Sequence, residues 1–250
     1  MDVSLFLVAA LCLGAALAQG FSGFGFGIIL MATLSLCGAD LERASVLATL
    51  LSTVLVISLL FQTSRRMRVD WKQAGLLGIG LLAGVPIGYR LLLRYGDMPA
   101  GRIAFGLVLI AFAANRMATP HLKRRIALGL APVFGLFSGL LGGAFSSGGP
   151  PVVIYLYTQE DDPRQAVGTT QAVFLSSNLY RLGWVACGER GLTAALGWRA
   201  LLLAPVVVAA GYAGFRLARR FSLRPFLAAV YGVIILAGCI SVYKGVCGCW

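Results

Sequence analysis

The sequence predicts an all-α polytopic membrane protein made of two homologous half-repeats. Each half holds about four helical segments, the halves are inverted copies, and each opens on a glycine-broken segment. Three observations carry this expectation: an extreme apolar composition, a series of helix-length apolar runs, and short motifs that recur in the same order in both halves.

Composition sets the class. Of 250 residues, 59% are hydrophobic and only 12% charged, where a soluble domain carries about 25% charged residues. Mean hydropathy is +0.87, and the 32 glycines suit close packing of membrane helices. The net charge of +12 does not point to nucleic acid. The basic residues sit mainly in short clusters between apolar runs, "RRMR" (65–68), "HLKRR" (121–125) and "RLARRFSLR" (216–224), as cytoplasmic loops do.

Apolar runs lie at 3–37, 44–61, 73–93, 99–115, 126–158, 165–187, 198–217 and 225–243. A crossing helix needs about 20 residues. The runs at 3–37 and 126–158 are too long for one crossing and are interrupted by glycine; the others fit one crossing each. The first run begins like a secretory leader, with Ala16-Leu17-Ala18 as a small-residue site. It has no basic start, however, and stays apolar past Gly20, so it reads as a retained helix. The run at 73–93 carries Gly80, Gly84 and Gly88 at four-residue spacing, a helix contact face.

The halves correspond motif by motif. Phe21-Ser22-Gly23 recurs as Phe137-Ser138-Gly139, "DLERASVLAT" (40–49) as "DDPRQAVGTT" (161–170), and Trp71-Lys72 as Trp198-Arg199. "GYRLLLR" (88–94) recurs as "GFRLARR" (214–220), and Phe105-Gly106 as Tyr231-Gly232. This divides the chain into a first membrane repeat (1–117), a basic loop (118–125) and a second membrane repeat (126–250).

Duplicated halves within a membrane are the mark of secondary transporters, and paired Gly/Pro-interrupted segments point to the binding site. Here the pair is "GFSGFGFG" (20–27) and "FSGLLGGAFSSGGPP" (137–151). Broken backbone exposes amide N–H groups, and a helix starting after the break aims its positive end at the gap, where anions bind. Pro150 and Pro151 suit the first turn of such a helix. Ser22, Ser138, Ser146 and Ser147 add hydroxyls, while Gly23, Gly25, Gly27, Gly139, Gly143, Gly148 and Gly149 let a ligand approach the backbone. The competing reading of such glycines is a filled helix-packing face.

These residues carry a family resemblance. "GLFSGLLGGAFSSGGPPVVIYLY" followed by "DPRQAVGTT" resembles the second half-repeat of the TauE/SafE sulfite exporter family, also called toluene-sulfonate uptake permeases, and "QGFSGFGFGIIL" is similar to the first. The resemblance extends over nearly the whole chain. It implies a permease for sulfite, sulfonates or other small organic anions, without fixing the substrate or its direction. Phe24 and Phe26 interleave the first-half glycines, where family members often carry a longer glycine run, which implies a narrower, more apolar half-site.

Few other polar residues lie inside the runs. Arg181, in "FLSSNLYRLGW" (174–184), has no carboxylate on its own segment. Intramembrane arginine faces a cavity or a partner, or snorkels to the interface. Asn178 stands one turn earlier beside Ser176 and Ser177, and Thr169, Thr170 and Gln171 precede them, matched by Thr49 and Ser52 in the first half. Arg43 and Arg164 start matching helices, where a solvated position is the simpler reading. The six cysteines form no C-x-x-C pair. With a single histidine and no Walker or G-x-S-x-G sequence, no catalytic residue, metal or cofactor is expected.

If every run crosses once, the basic residues divide almost evenly between the two sides. If 3–37 and 126–158 enter and turn back, each half crosses three times, and one side collects about twice the basic residues of the other. That side is then cytoplasmic, with both termini on the opposite side. The expected function is secondary transport of small anions across a cell (inner) membrane, with the anion and the bilayer as partners, no nucleic acid, and a homodimer as an option. The alternative is a non-transporting membrane scaffold or assembly subunit.

Overall fold

The computed structural model describes residues 4–63, 68–96, 98–118, 126–159, 162–188, 192–218 and 224–247. In chain order the helices are α1 (Leu5–Ser22), α2 (Phe26–Leu36), α3 (Leu41–Thr63), α4 (Trp71–Tyr95) and α5 (Pro99–Ala118), then a 3-10 turn (Leu128–Leu130). There follow α6 (Ala131–Phe145), α7 (Gly149–Gln159), α8 (Pro163–Cys187), α9 (Ala194–Leu217) and α10 (Arg224–Cys247). No strand occurs among the described residues. The basic loop at 118–125, apart from Ala118, lies outside them.

The two overlong apolar runs are each occupied by two helices, α1 with α2 and α6 with α7. Among the described residues five helices are long and apolar enough to cross a membrane: α1, α3, α4, α9, and α6 with its leading turn. The 11-residue α2 and α7 are about 16 Å long at 1.5 Å per residue, roughly half the hydrocarbon thickness. At 25 residues α8 has the length, but its hydropathy is lowered by Thr169, Thr170, Gln171, Ser177 and Arg181, all of them buried.

The packing follows an exchange rule. With α1–α5 and α6–α10 taken as two sets, α1 lies along α9 as α6 lies along α4. Likewise α3 meets α9 as α8 meets α4, while α5·α10 and α3·α8 map onto themselves. The largest departure from the rule is at α10. Helix α10 packs on α2, whereas the counterpart region between α5, α6 and α7 is an open apolar groove of about 490 Å³ lined by Phe112, Phe134, Phe137, Pro150 and Pro151.

The α4–α6 contact is made backbone to backbone. Gly80, Gly84 and Gly88 face the carbonyl oxygens of Pro132, Leu136 and Leu140, and Gly135, Gly139 and Gly143 face those of Leu77, Leu81 and Val85. A Cβ at any of these six positions would run into those oxygens. Small residues let membrane helices approach this closely, where dispersion replaces the hydrophobic effect as the cohesive force. The α1–α9 contact uses the same device at Gly20, against Gly211, and at Gly214, against Leu17.

Candidate functional site

The first break is built by glycine. Gly23 caps α1 with φ of 81° and returns its N–H to the Gln19 carbonyl at 2.7 Å. Gly25, with φ of 109°, precedes the first residue of α2. Only glycine enters this left-handed region without strain. At the second break Ser146 takes the left-handed position, φ 53°, at the end of α6. Pro150 and Pro151 then follow Gly149 in the first turn of α7, where a missing N–H removes no intrahelical bond.

Non-helical backbone inside an apolar protein must have its polar groups satisfied. At the two breaks four carbonyls are capped by side chains. Gln171 Nε2 donates to the Gly23 carbonyl at 2.7 Å, and Ser22 Oγ to that of Phe24 at 2.7 Å. Ser138 Oγ donates to the Gly148 carbonyl at 2.6 Å, and Ser147 Oγ to that of Phe145 at 2.9 Å. The amides are treated differently. Phe26 N–H reaches Gln19 Oε1 at 3.0 Å, but the N–H groups of Gly27, Ile28, Gly148 and Gly149 have no acceptor among the described residues.

All four of those residues line one cavity of about 30 Å³, room for one or two waters. Gln19, Gly25 and the start of α2 form one wall, and Ser138, Gly142, Ser146, Ser147 and the start of α7 another. Ser52 from α3 and Phe174, Ser177 and Asn178 from α8 complete it. The breaks touch here, since a Cβ on Gly27 would run into the Ser146 carbonyl oxygen. Asn178 Nδ2 donates to Ser52 Oγ at 3.0 Å, tying α8 to α3 across the cavity. No lining residue is charged. The electrostatics come from two helix starts, each worth about half a positive charge.

Arg181 stands behind this wall, 1% exposed, and does not snorkel. Its Nε donates to the Gly143 carbonyl at 2.9 Å, and its Nη1 to the Ser45 carbonyl at 2.9 Å and to Thr49 Oγ1. Nη2 donates to Ser45 Oγ at 2.8 Å. Every one of these partners is neutral. Thr49 Oγ1 lies 3.1 Å from Ser146 Oγ, so a chain of hydrogen-bonding groups leads from the buried guanidinium to the cavity.

Of the residues singled out from sequence, Gly25, Gly27, Ser138, Ser146, Ser147, Gly148, Gly149 and Asn178 share the cavity wall. Ser22 and Gly23 shape the first break. Gly139 and Gly143 belong to the α4–α6 contact. Pro150 lines the apolar groove instead. The Thr170 hydroxyl bonds back to the Ala166 carbonyl at 2.7 Å, as threonines in membrane helices do. Arg43 is exposed at the start of α3, and the Arg164 side chain lies outside the described residues. Gln19, Ile28, Gly142 and Phe174 join the wall without being singled out by sequence; a lone glutamine in an apolar run is the available signal for the first.

Apolar helices closed around a neutral, donor-rich cavity at two helix breaks define a polytopic helical membrane transporter. Residues 7–241 match the family model described as sulfite exporter TauE/SafE, and the chain belongs to that family of membrane transporters. A curated protein of Cupriavidus necator, named as a probable sulfite/organosulfonate exporter TauE, is 30% identical over 225 residues, covering 88% of this chain and 86% of its own. No solved structure gives a significant match. Membership makes the chain a transporter and not an enzyme.

Proposed function

We propose that the protein is a secondary transporter of the inner membrane that moves sulfite, sulfonates or related small organic anions by alternating access around the cavity at the two breaks. One observation carries the reading: side chains cap four of the break carbonyls, while four amides at two convergent helix starts, on residues that line one cavity, have no acceptor among the described residues. Open carbonyls would suit a cation; open amides suit an anion. The buried Arg181, with neutral partners throughout, adds positive potential behind the wall. The exchange of packing partners between α1–α5 and α6–α10 supports a chain of two halves, 1–117 and 126–250, and inverted halves would give the site two equivalent exits.

Gly149 provides the test. A Cβ there would stand 3.4 Å from the Phe174 ring and 3.9 Å from Phe24, ordinary contact distances. Gly149→Ala therefore keeps sulfite and methanesulfonate flux in proteoliposomes, whereas Gly149→Trp fills the cavity and abolishes it with membrane insertion intact. Full transport by Gly149→Trp would remove the site from this segment.

A further inference from the structure

Gln19 of α1 reaches across the first break to the start of α2, and it is 2% exposed. Its amide is held one way round, because Oε1 accepts the Phe26 N–H at 3.0 Å and an Nε2 in that place could not. The other end, Nε2, is buried with no acceptor among the described residues, and the residue lines the cavity. A buried donor left unmade carries a full desolvation penalty, so a protein that keeps one beside two open helix starts is short of an acceptor that arrives from outside.

We propose that Gln19 Nε2 is a direct ligand of the transported anion, donating to one of its oxygens and so fixing the orientation of the bound oxyanion. The inference rests on the anion-site reading above. The other lining side chains that hydrogen-bond are hydroxyls, which rotate, and Asn178, whose Nδ2 is engaged by Ser52. Among the described lining residues Gln19 Nε2 is the buried side-chain donor with no partner at all, and its direction is fixed. The wall itself holds no charged side chain; the positive potential at the site comes from two helix starts and from Arg181 behind the wall.

Gln19→Glu separates a ligand from a structural cap. The introduced carboxylate has nearly the same shape and still accepts the Phe26 N–H, so a purely structural role survives the change. In a ligand position, that carboxylate repels the anion when ionised and offers an O–H donor when protonated. No other described lining residue titrates near neutral pH, and methanesulfonate keeps one charge throughout.

Calorimetry of the full chain in detergent, with methanesulfonate between pH 5 and 9, is the measurement. The parent binds with a flat pH profile. The variant binds roughly 10- to 100-fold more weakly at high pH, the range of one hydrogen bond to a charged group, and recovers as pH falls. Gln19→Met, which cannot donate at any pH, shows the same loss without recovery and serves if the glutamate variant does not fold. A parent-like affinity and flat profile in Gln19→Glu, or parent-like affinity in Gln19→Met, overturns the Gln19 assignment and leaves the anion site standing. Failure of the parent to bind either methanesulfonate or sulfite overturns both.

Discussion

Replacing Arg181 with methionine separates stability from anion affinity. Methionine fills much of the arginine's volume but donates nothing. Two of the acceptors lose little, because Ser45 Oγ donates to the Glu42 carbonyl and the Ser45 carbonyl still accepts from Thr49. The Gly143 carbonyl loses its side-chain donor, at about 1–3 kcal/mol. Against that, the variant no longer buries a cation among neutral partners, which itself costs several kcal/mol. The two terms oppose each other, and the net change in stability is about 2 kcal/mol or less. Anion affinity has no such offset. The path from the guanidinium through Thr49 and Ser146 to a bound anion is three hydrogen bonds long, about 9 Å. At an effective dielectric of about 20, one charge pair at that distance is worth about 2 kcal/mol, a factor of roughly 20 to 30 in affinity. Thermal unfolding and calorimetry with methanesulfonate, run on one purified sample of Arg181→Met, read both quantities. Arg181→Lys, which keeps the charge, recovers most of the affinity. Unchanged affinity in Arg181→Met would refute the electrostatic argument and leave the arginine as a clamp between α8, α3 and α6.

Two further outcomes are expected. Gly27→Ala drives a Cβ into the Ser146 carbonyl oxygen; such overpacking costs about 1–3 kcal/mol, and separating the two breaks lowers transport in proteoliposomes by more than about tenfold, a parent-like rate counting against their convergence. In the inverted arrangement, single cysteines introduced as Arg66→Cys or Asp162→Cys into a cysteine-free background are both shielded from an impermeant thiol reagent in intact cells, and labelling of one alone restores the eight-crossing arrangement.

The helices are legible in the sequence because hydropathy is a sum over many residues, and the breaks because Gly, Ser and Pro in an apolar run leave the chain no good helix. What pairs across the molecule is less so. Asn178 and Ser52 carry no local signal of one another; their bond exists because α8 and α3 pack side by side. The glycines look alike in sequence, yet Gly148 faces the cavity while Gly143, at the end of the preceding helix, is pressed onto α4. Which face a glycine presents depends on the neighbouring helix. Pro150 does start a helix, as its context implies, but it lines the apolar groove rather than the polar cavity. Gln19 has no spacing rule attached to it, being one glutamine near the end of a helix; only the orientation imposed by Phe26 makes it informative.

The glycine contact between α4 and α6 also bears on how freely the sequence can drift. Glycine is the only residue without a Cβ, so every missense change at Gly80, Gly84, Gly88, Gly135, Gly139 or Gly143 adds the one atom that the facing carbonyl cannot admit. Backbone oxygens have no alternative rotamer, and a compensating change on the partner helix cannot move them. Six codons are thereby closed to substitution by geometry, whether or not any of them touches a ligand. Selection at these positions acts on the distance between two helix axes, and loss-of-function alleles should gather there as densely as at the cavity.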